Sequence, residues 1–259
     1  MGGTQAIRSG KDGRGGLGNV LSGLAVAIGF ALFLGGFVWG AVVYRPYTVP
    51  TDSMMPTVRP GDRVLAQRID GGEVRRGDVV IFTDSMWSDS PMVKRVVGIG
   101  GDTVKCCGPA GGLTVNGAPL DEPYADTKGP DTGLTMPPGQ TAPTGTPFEV
   151  TVPEGNLFLL GDRRAASLDS RAHLQEAGQG TVPRSAVSAR VDALAWPTMT
   201  MLERPTFAAL PGGASQPGPL LLQVAAVLAG AALVVLGAAY GPLARVLGRG
   251  RRKERAGVS

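Results

Sequence analysis

From Leu17 to Val43 the chain runs through LGNVLSGLAVAIGFALFLGGFVWGAVV without a charged side chain, and Asn19 and Ser22 are its only clearly polar members. About 20 helical residues span a bilayer, so this run is long enough with some tilt. A second run, Pro219 to Tyr240, reads PLLLQVAAVLAGAALVVLGAAY and holds one glutamine. Its alanines and glycines suit close helix contact. The first run is longer than the apolar region of a cleaved leader. No small-x-small site precedes Tyr44, since Ala41-Val42-Val43 fits poorly, so the run reads as a retained anchor. The length of the second run, and the basic cluster behind it, argue against a buried core helix.

The charges follow the same division. Residues 1–18 carry Arg8, Lys11 and Arg14 against Asp12, a net of +2. Residues 241–259 carry Arg245, Arg249, Arg251, Arg252, Lys253 and Arg255 against Glu254, a net of +5. The overall charge is +4, which leaves −3 for everything between. The body therefore offers no electrostatic case for nucleic-acid binding. Basic flanks stay on the cytoplasmic side, so both termini are expected inside and residues 44–218 outside. An even number of spans requires the same.

Glycine (40) and proline (21) are abundant and aromatics make up 5%, a composition that suits short strands and many turns. Between the apolar runs, clusters such as DRVLAQRI, GDVVIFT and MVKRVVGI alternate with turn signals. LTVNGAPL carries Asn116-Gly117 between β-type residues, a hairpin signal. FEVTVPEGNLFLLGD gives two more strands around Pro153-Glu154-Gly155. The spacing predicts an all-β body. Asp126 to Pro147 reads as an exposed loop, residues 172–183 as polar with one helical turn, and 204–218 as a linker. Pro60-Gly61-Asp62 reads as a plain turn, and Asp78 and Asp102, each after a glycine, as turn residues.

Few groups in the body can do chemistry. Cys106 and Cys107 are adjacent, about 3.8 Å between Cα atoms when trans and below the usual disulfide range, so a bridge between them is strained. His173 is the only histidine, and no second cysteine pair exists, which argues against zinc. Ser53 stands out in YTVPTDSMMPTVRPGDRVL, Tyr47 to Leu65, directly after the first apolar run. It is either a linker residue or a nucleophile held near a bilayer. A Ser-His-Asp site would need His173, which lies in DSRAH on a polar loop and reads as solvated. The other route is a neutral lysine. Lysine titrates near 10.4 when free, and apolar burial lowers that. Lys94 sits in PMVKRVVGI among Met92, Val93, Val96 and Val97. Strand alternation points Lys94 and Arg95 to opposite faces, so one can be buried while the other is solvated or paired.

Four segments, in order, resemble the boxes of bacterial type I signal peptidases, the serine-lysine leader peptidases. VPTDSMMPTVRPGD is similar to the nucleophile box, and RRGDVVIF (Arg75 to Phe82) to the strand after it. VKRVVGIGGDTV (Val93 to Val104) resembles the lysine box, and GDRRAASLDSR (Gly161 to Arg171) the last box. VNGAPLDEPY and GTVPRSAVSARV resemble flanking segments. The likeness covers most of residues 44–196. It implies Ser53 as nucleophile and Lys94 as general base. Thr51 stands where a serine hydroxyl completes the oxyanion hole, and Ser167 where a residue orients the lysine amine. Asp169 and Arg171 match supporting residues, with Ser170 as an alternative. Pro50, Met54 and Val93 match positions lining small substrate pockets, although Met54 and Met55 also suit a core or lipid contact. Four positions depart from the family pattern: Arg163 replaces asparagine, Ala165-Ala166 a more polar pair, and Gly100 a proline.

The expected fold is mainly β: a signal-peptidase-like catalytic domain with a small inserted β subdomain, flanked by N- and C-terminal transmembrane helices. The expected order is a basic tail (1–16), an anchor (17–43), and an extracytoplasmic peptidase domain (44–203) with its insert at about 105–153. A linker (204–218), a second transmembrane helix (219–240) and a basic tail (241–259) follow. The implied partners are secretory precursors bearing signal peptides and the lipid bilayer, with association with the export machinery as a further expectation. Neither metal nor cofactor is implied, and no nucleic acid. A specialised processing peptidase with few clients, or an inactive membrane-anchored scaffold, are the alternatives.

Overall fold

The computed structural model describes residues 14–107, 112–125, 147–205, 207 and 209–256, with side chains from Gly18 to Tyr240. Except for Pro147, the stretch read as an exposed loop lies outside them from residue 126 onward. The chain forms two compact units, one spanning Val43–Gly218 and the other joining the two terminal segments.

The terminal unit is a pair of helices, α1 (Arg14–Val43) and α2 (Leu220–Ala256). Gly18–Val43 and Leu220–Tyr240 are each long and apolar enough to cross a membrane, and little of either is buried. Small residues line their seam. A Cβ on Gly29 would stand 2.8 Å from Gly230 O, and one on Gly230 would stand 2.5 Å from Phe33 N. Ser22 Oγ donates to Gly237 O at 2.7 Å. Backbone approach of this kind holds helices together where no hydrophobic effect drives them. The helix continues past Tyr240, so most of the segment read as a basic tail is helical.

The other unit is mainly β, in agreement with the turn-rich composition. Its strands are β1 (Tyr44–Thr48), β2 (Arg63–Arg68), β3 (Val79–Asp84), β4 (Ser88–Ile99), β5 (Thr103–Cys106), β6 (Leu113–Val115), β7 (Ala118–Pro119), β8 (Phe148–Thr151), β9 (Asn156–Leu160), β10 (Thr181–Pro183), β11 (Val187–Trp196) and β12 (Thr200–Met201). The larger sheet runs β1-β2-β11-β3-β4-β9-β10, with β12 on β11, and the smaller runs β7-β6-β5-β8. The strands around Pro153-Glu154-Gly155 thus belong to different sheets: β8 pairs with β5, and β9 with β4. Asn116 and Gly117 both have positive φ and join β6 to β7 as the hairpin signal predicts.

Three turns share one construction. Gly61, Gly77 and Gly101 each have φ of +87°, a backbone that glycine adopts without steric cost. The aspartate after each glycine accepts the N–H of the residue three before it: Asp62 from Arg59, Asp78 from Arg75, Asp102 from Ile99. Asp78 and Asp102 are therefore turn residues, as read from sequence. The last two turns lie before β3 and after β4, and both hold the C-terminal half of the strand that carries Lys94, through Val96 and Ile99.

The stretch read as a linker, 204–218, is instead a strap packed onto the β unit. Phe207 and Leu210 are buried in the core beneath the small sheet. Ser215 Oγ donates to Asp78, Arg75 and Arg76 donate to Gly212 O and Pro211 O, and Arg204 pairs with Asp192. Tyr44 OH donates to Asp192 Oδ2 at 2.8 Å, and a Cβ on Gly218 would meet both of these residues. The entry and exit of the β unit therefore lie side by side. Proline and glycine suggested a linker, and the few large apolar and polar residues between them anchor the segment.

Candidate active site

β4 is the spine of the site. Its side chains alternate, and both members of the central Lys94-Arg95 pair are buried, at 5% and 1% exposure. Arg95 faces a carboxylate: its guanidinium donates to Asp162 through Nε and Nη2 at 2.8 and 2.7 Å, and to Gly77 O. Thr57 Oγ1 also donates to Asp162, and the Tyr124 ring lies 4.0 Å from the guanidinium carbon. Burial opposes the Arg95 charge, but Asp162 outweighs it and raises the pKa. Lys94, on the other face, makes no ion pair with a carboxylate among the described residues. Its Nζ is 2.8 Å from Ser53 Oγ. Burial lowers its pKa; Asp169, then Asp162 and Asp52 pull the other way, while Arg171 adds to the lowering. The contact is therefore an ammonium donating to the hydroxyl or, once deprotonated, a hydroxyl donating to the amine.

Ser53 reaches this point on the turn that follows β1. It is buried, and Arg163 N donates to its carbonyl at 3.0 Å, which ties the nucleophile-box turn to the last box. Thr51 Oγ1 lies 3.3 Å from Ser53 Oγ. Asp169 is fully buried. It accepts Gly161 N at 3.0 Å and three donors of Arg171, including Nη2 at 2.8 Å. Burial would raise its pKa, yet the Arg171 bonds hold it below the ordinary value. Ser170 Oγ accepts from Leu159 N at 2.8 Å and so braces β9.

The expectations do not all fall together at this point. Ser167 Oγ is buried without a hydrogen-bond partner, and the orienting bond to Lys94 is not formed. The hydroxyl lies close enough to Asp169 to add to its lowered pKa, but outside hydrogen-bond geometry. Met54 is completely buried with Val49, Val58, Val64 and Ala66, so it forms part of the core and lines no open pocket. Its flexible side chain fills space under the nucleophile turn. Pro50 is exposed and Val93 half-buried, so both keep surface. His173 is not a free solvated residue: its ring stacks on Trp87 at 4.4 Å and Nδ1 contacts Glu176 at 2.6 Å. Cys106 and Cys107 are joined as a disulfide across a cis peptide bond.

Other residues shape the site without having been singled out. A Cβ on Gly161 would stand 2.2 Å from Ser167 Oγ and 2.6 Å from Ser53 O, so only glycine fits there. Glu122 neutralises the buried Arg164, whose Nε donates to Gly161 O and whose own carbonyl accepts Arg171 Nη2. Tyr124 OH donates to Glu122 at 2.9 Å. Asp52 pairs with Arg163. Glu122 and Tyr124 lie in VNGAPLDEPY, which the sequence reading matched only as a flanking segment. Nothing in the sequence linked it to Arg164 or Arg95.

Part of one edge of β4 carries no second strand among the described residues. Residues 79–84 of β3 pair with β4 as far as Arg95, whereas β9 begins pairing only at Arg95. Among the described residues, Ser88 to Lys94 therefore have a strand partner on one side only.

The family profile and the sequence relatives agree with the ordered boxes. The profile of the family described as signal peptidase, peptidase S26, matches residues 21–196. Signal peptidase I of Mycobacterium tuberculosis is 32% identical over 204 residues, covering 62% of this chain and 68% of its own. Signal peptidase IB of Staphylococcus aureus is 31% identical over 180 residues, covering 67% of this chain and 87% of its own. A solved signal peptidase I from Enterococcus faecalis aligns at 26% identity over 45% of this chain and 95% of that one, with a TM-score of 0.34. The profile match spans well over half of the chain, which belongs to the signal peptidase family, peptidase S26, a family of serine endopeptidases that remove signal peptides.

Proposed function

We propose that this chain is a membrane-anchored endopeptidase that removes signal peptides with Ser53 as nucleophile and Lys94 as general base. The observation that carries the reading is the 2.8 Å contact between Lys94 Nζ and Ser53 Oγ, both groups being buried. Burial keeps a fraction of the amine neutral, and a neutral amine can take the hydroxyl proton.

Ser53 Oγ attacks the scissile carbonyl carbon while its proton passes to Lys94 Nζ. In this reading the oxyanion forms beside the Ser53 N–H and the Thr51 hydroxyl, two donors that would stabilise the charge as it develops. The tetrahedral adduct collapses, the C–N bond breaks, and Lys94 returns the proton to the amine of the mature chain. A water then gives its proton to Lys94 and attacks the ester. Collapse returns the proton to Ser53 Oγ and frees the signal peptide with a new carboxylate. The edge of β4 up to Lys94, which carries no second strand among the described residues, supports extended binding of the precursor as an added strand. Pro50 and Val93 are the surfaces available to accept small side chains before the cut, which favours Ala-x-Ala.

The two apolar helices and the basic flanks favour two passes with both termini inside and the β unit outside. Enzyme and precursor are then confined to the same surface, which raises their effective concentration. Export machinery nearby would supply that precursor. The test is cleavage of a precursor with an Ala-x-Ala site by the full chain in lipid vesicles, with sequencing of the new N-terminus. Cleavage after the second alanine, lost in Ser53→Ala, supports the reading. Undiminished cleavage by Ser53→Ala overturns it.

A further inference from the structure

Arg163 is both the departure from the family pattern closest to the chemistry and a half of the ion pair next to the nucleophile. Its guanidinium pairs with Asp52, the residue before Ser53, and its backbone N–H holds the Ser53 carbonyl at 3.0 Å. The nucleophile turn and the 161–164 turn are thus fastened at two adjacent points, one by backbone and one by charge. An uncharged side chain at this position, such as asparagine, would have no charge to set against Asp52. We infer that Asp52 and Arg163 form a charge clamp beside Ser53 that tunes when the Ser53–Lys94 pair becomes reactive.

The inference rests on Lys94 being the base. The charged groups acting on Lys94 are Asp169, Arg171 and Asp162 on the last box and Asp52 on the nucleophile turn. The two acids of the last box are each bonded to a buried or nearly buried arginine, Asp169 to Arg171 and Asp162 to Arg95. Asp52 is the carboxylate of this set that is paired while still partly exposed, and its partner is Arg163. As an anion it favours the Lys94 ammonium, and Arg163 offsets that pull. Both members are more than a third exposed, so water and salt screen the effect and it stays modest.

Arg163 is therefore a positioning residue, and its test is the pH dependence of single-turnover cleavage by the full chain at low salt. Asp52→Asn should move the ascending limb to lower pH and Arg163→Asn should move it to higher pH. Each shift should be roughly 0.3–0.7 pH units, the size that a partly exposed pair supports. The double variant should fall between the singles, Arg163→Lys should restore the wild-type limb, and 1 M salt should narrow the spread. A wild-type limb that none of these variants moves, or that both singles move in the same direction, overturns the clamp and leaves the Ser53–Lys94 reading standing. A wild-type profile with no limb overturns both.

Discussion

The two faces of β4 treat a buried cation in opposite ways. Arg95 has a carboxylate 2.7 Å away, a backbone carbonyl and an aromatic face, and Asp162 keeps it charged against the cost of burial, as a strut between Thr57, Gly77 and Asp162. Lys94, one residue earlier, has a hydroxyl 2.8 Å away and carboxylates that act only at longer range, and burial lowers its pKa. The residue types fit these fates. A guanidinium does not give up its proton in a protein, whereas an amine does so readily once desolvated. A carboxylate in direct contact makes a buried cation structural, and its replacement by a hydroxyl leaves the cation free to work as a base.

The largest effect should come from Lys94→Ala, which removes the base and lowers turnover by about 10⁴-fold or more, as loss of a member of a concerted catalytic unit does. Lys94→Met should be as inactive yet melt at higher temperature near neutral pH. The sign follows from the lowered pKa: folding disfavours the ammonium, so stability is reduced below the folded pKa and recovers as pH rises toward the unfolded value. A methionine variant that melts lower would show that Lys94 is not held under strain. On the other face, Asp162→Asn leaves Arg95 buried without its counter-charge and should destabilise the fold by roughly 3–5 kcal/mol in denaturant titration. Adding Arg95→Met to it should recover most of that loss. Equal losses in the single and double variants would mean that Arg95 is not a charged strut.

Ser167→Ala should separate the two properties. The hydroxyl is buried beside the nucleophile with no bond of its own, so its removal should leave stability unchanged or raise it by about 1 kcal/mol. Turnover should fall by about 10²-fold, the lower end of what assisted proton transfer contributes, if the hydroxyl turns to the amine during reaction. The smallest effect belongs to His173→Ala. That ring stacks on Trp87 and contacts Glu176, so turnover should change by less than about two-fold while stability drops by about 0.5–1.5 kcal/mol, as for a lost aromatic pair.

Local order was legible in the sequence. The strands around Lys94, the Asn116-Gly117 hairpin and the three glycine-aspartate turns follow from alternation and from the backbone that glycine allows. The membrane-compatible helices follow from length and lack of charge. Ser53 and Lys94 were singled out because boxes far apart in the chain occur in one order. What stayed hidden depends on partners distant in sequence. No period links Glu122 to Arg164 or Tyr124 to Arg95, and the need for glycine at 161 appears only when Ser53 and Ser167 converge on it. Met54 had two readings, pocket and core, because a residue beside a nucleophile can face either; it is buried in the core. The strap at 204–218 was misread because proline and glycine dominate its composition while Phe207, Leu210 and Ser215 do the anchoring.

The central claim is that Lys94 is neutral in part where an ordinary lysine is fully charged. The chain has only five lysines, Lys11, Lys94, Lys105, Lys128 and Lys253, so their side-chain amines can be followed together by NMR in the full-length protein labelled at lysine, with Lys94→Ala assigning the signal. The account predicts that one resonance titrates clearly below the ordinary lysine value of about 10.4 and disappears in that variant. A Lys94 resonance that titrates at the ordinary value would contradict it.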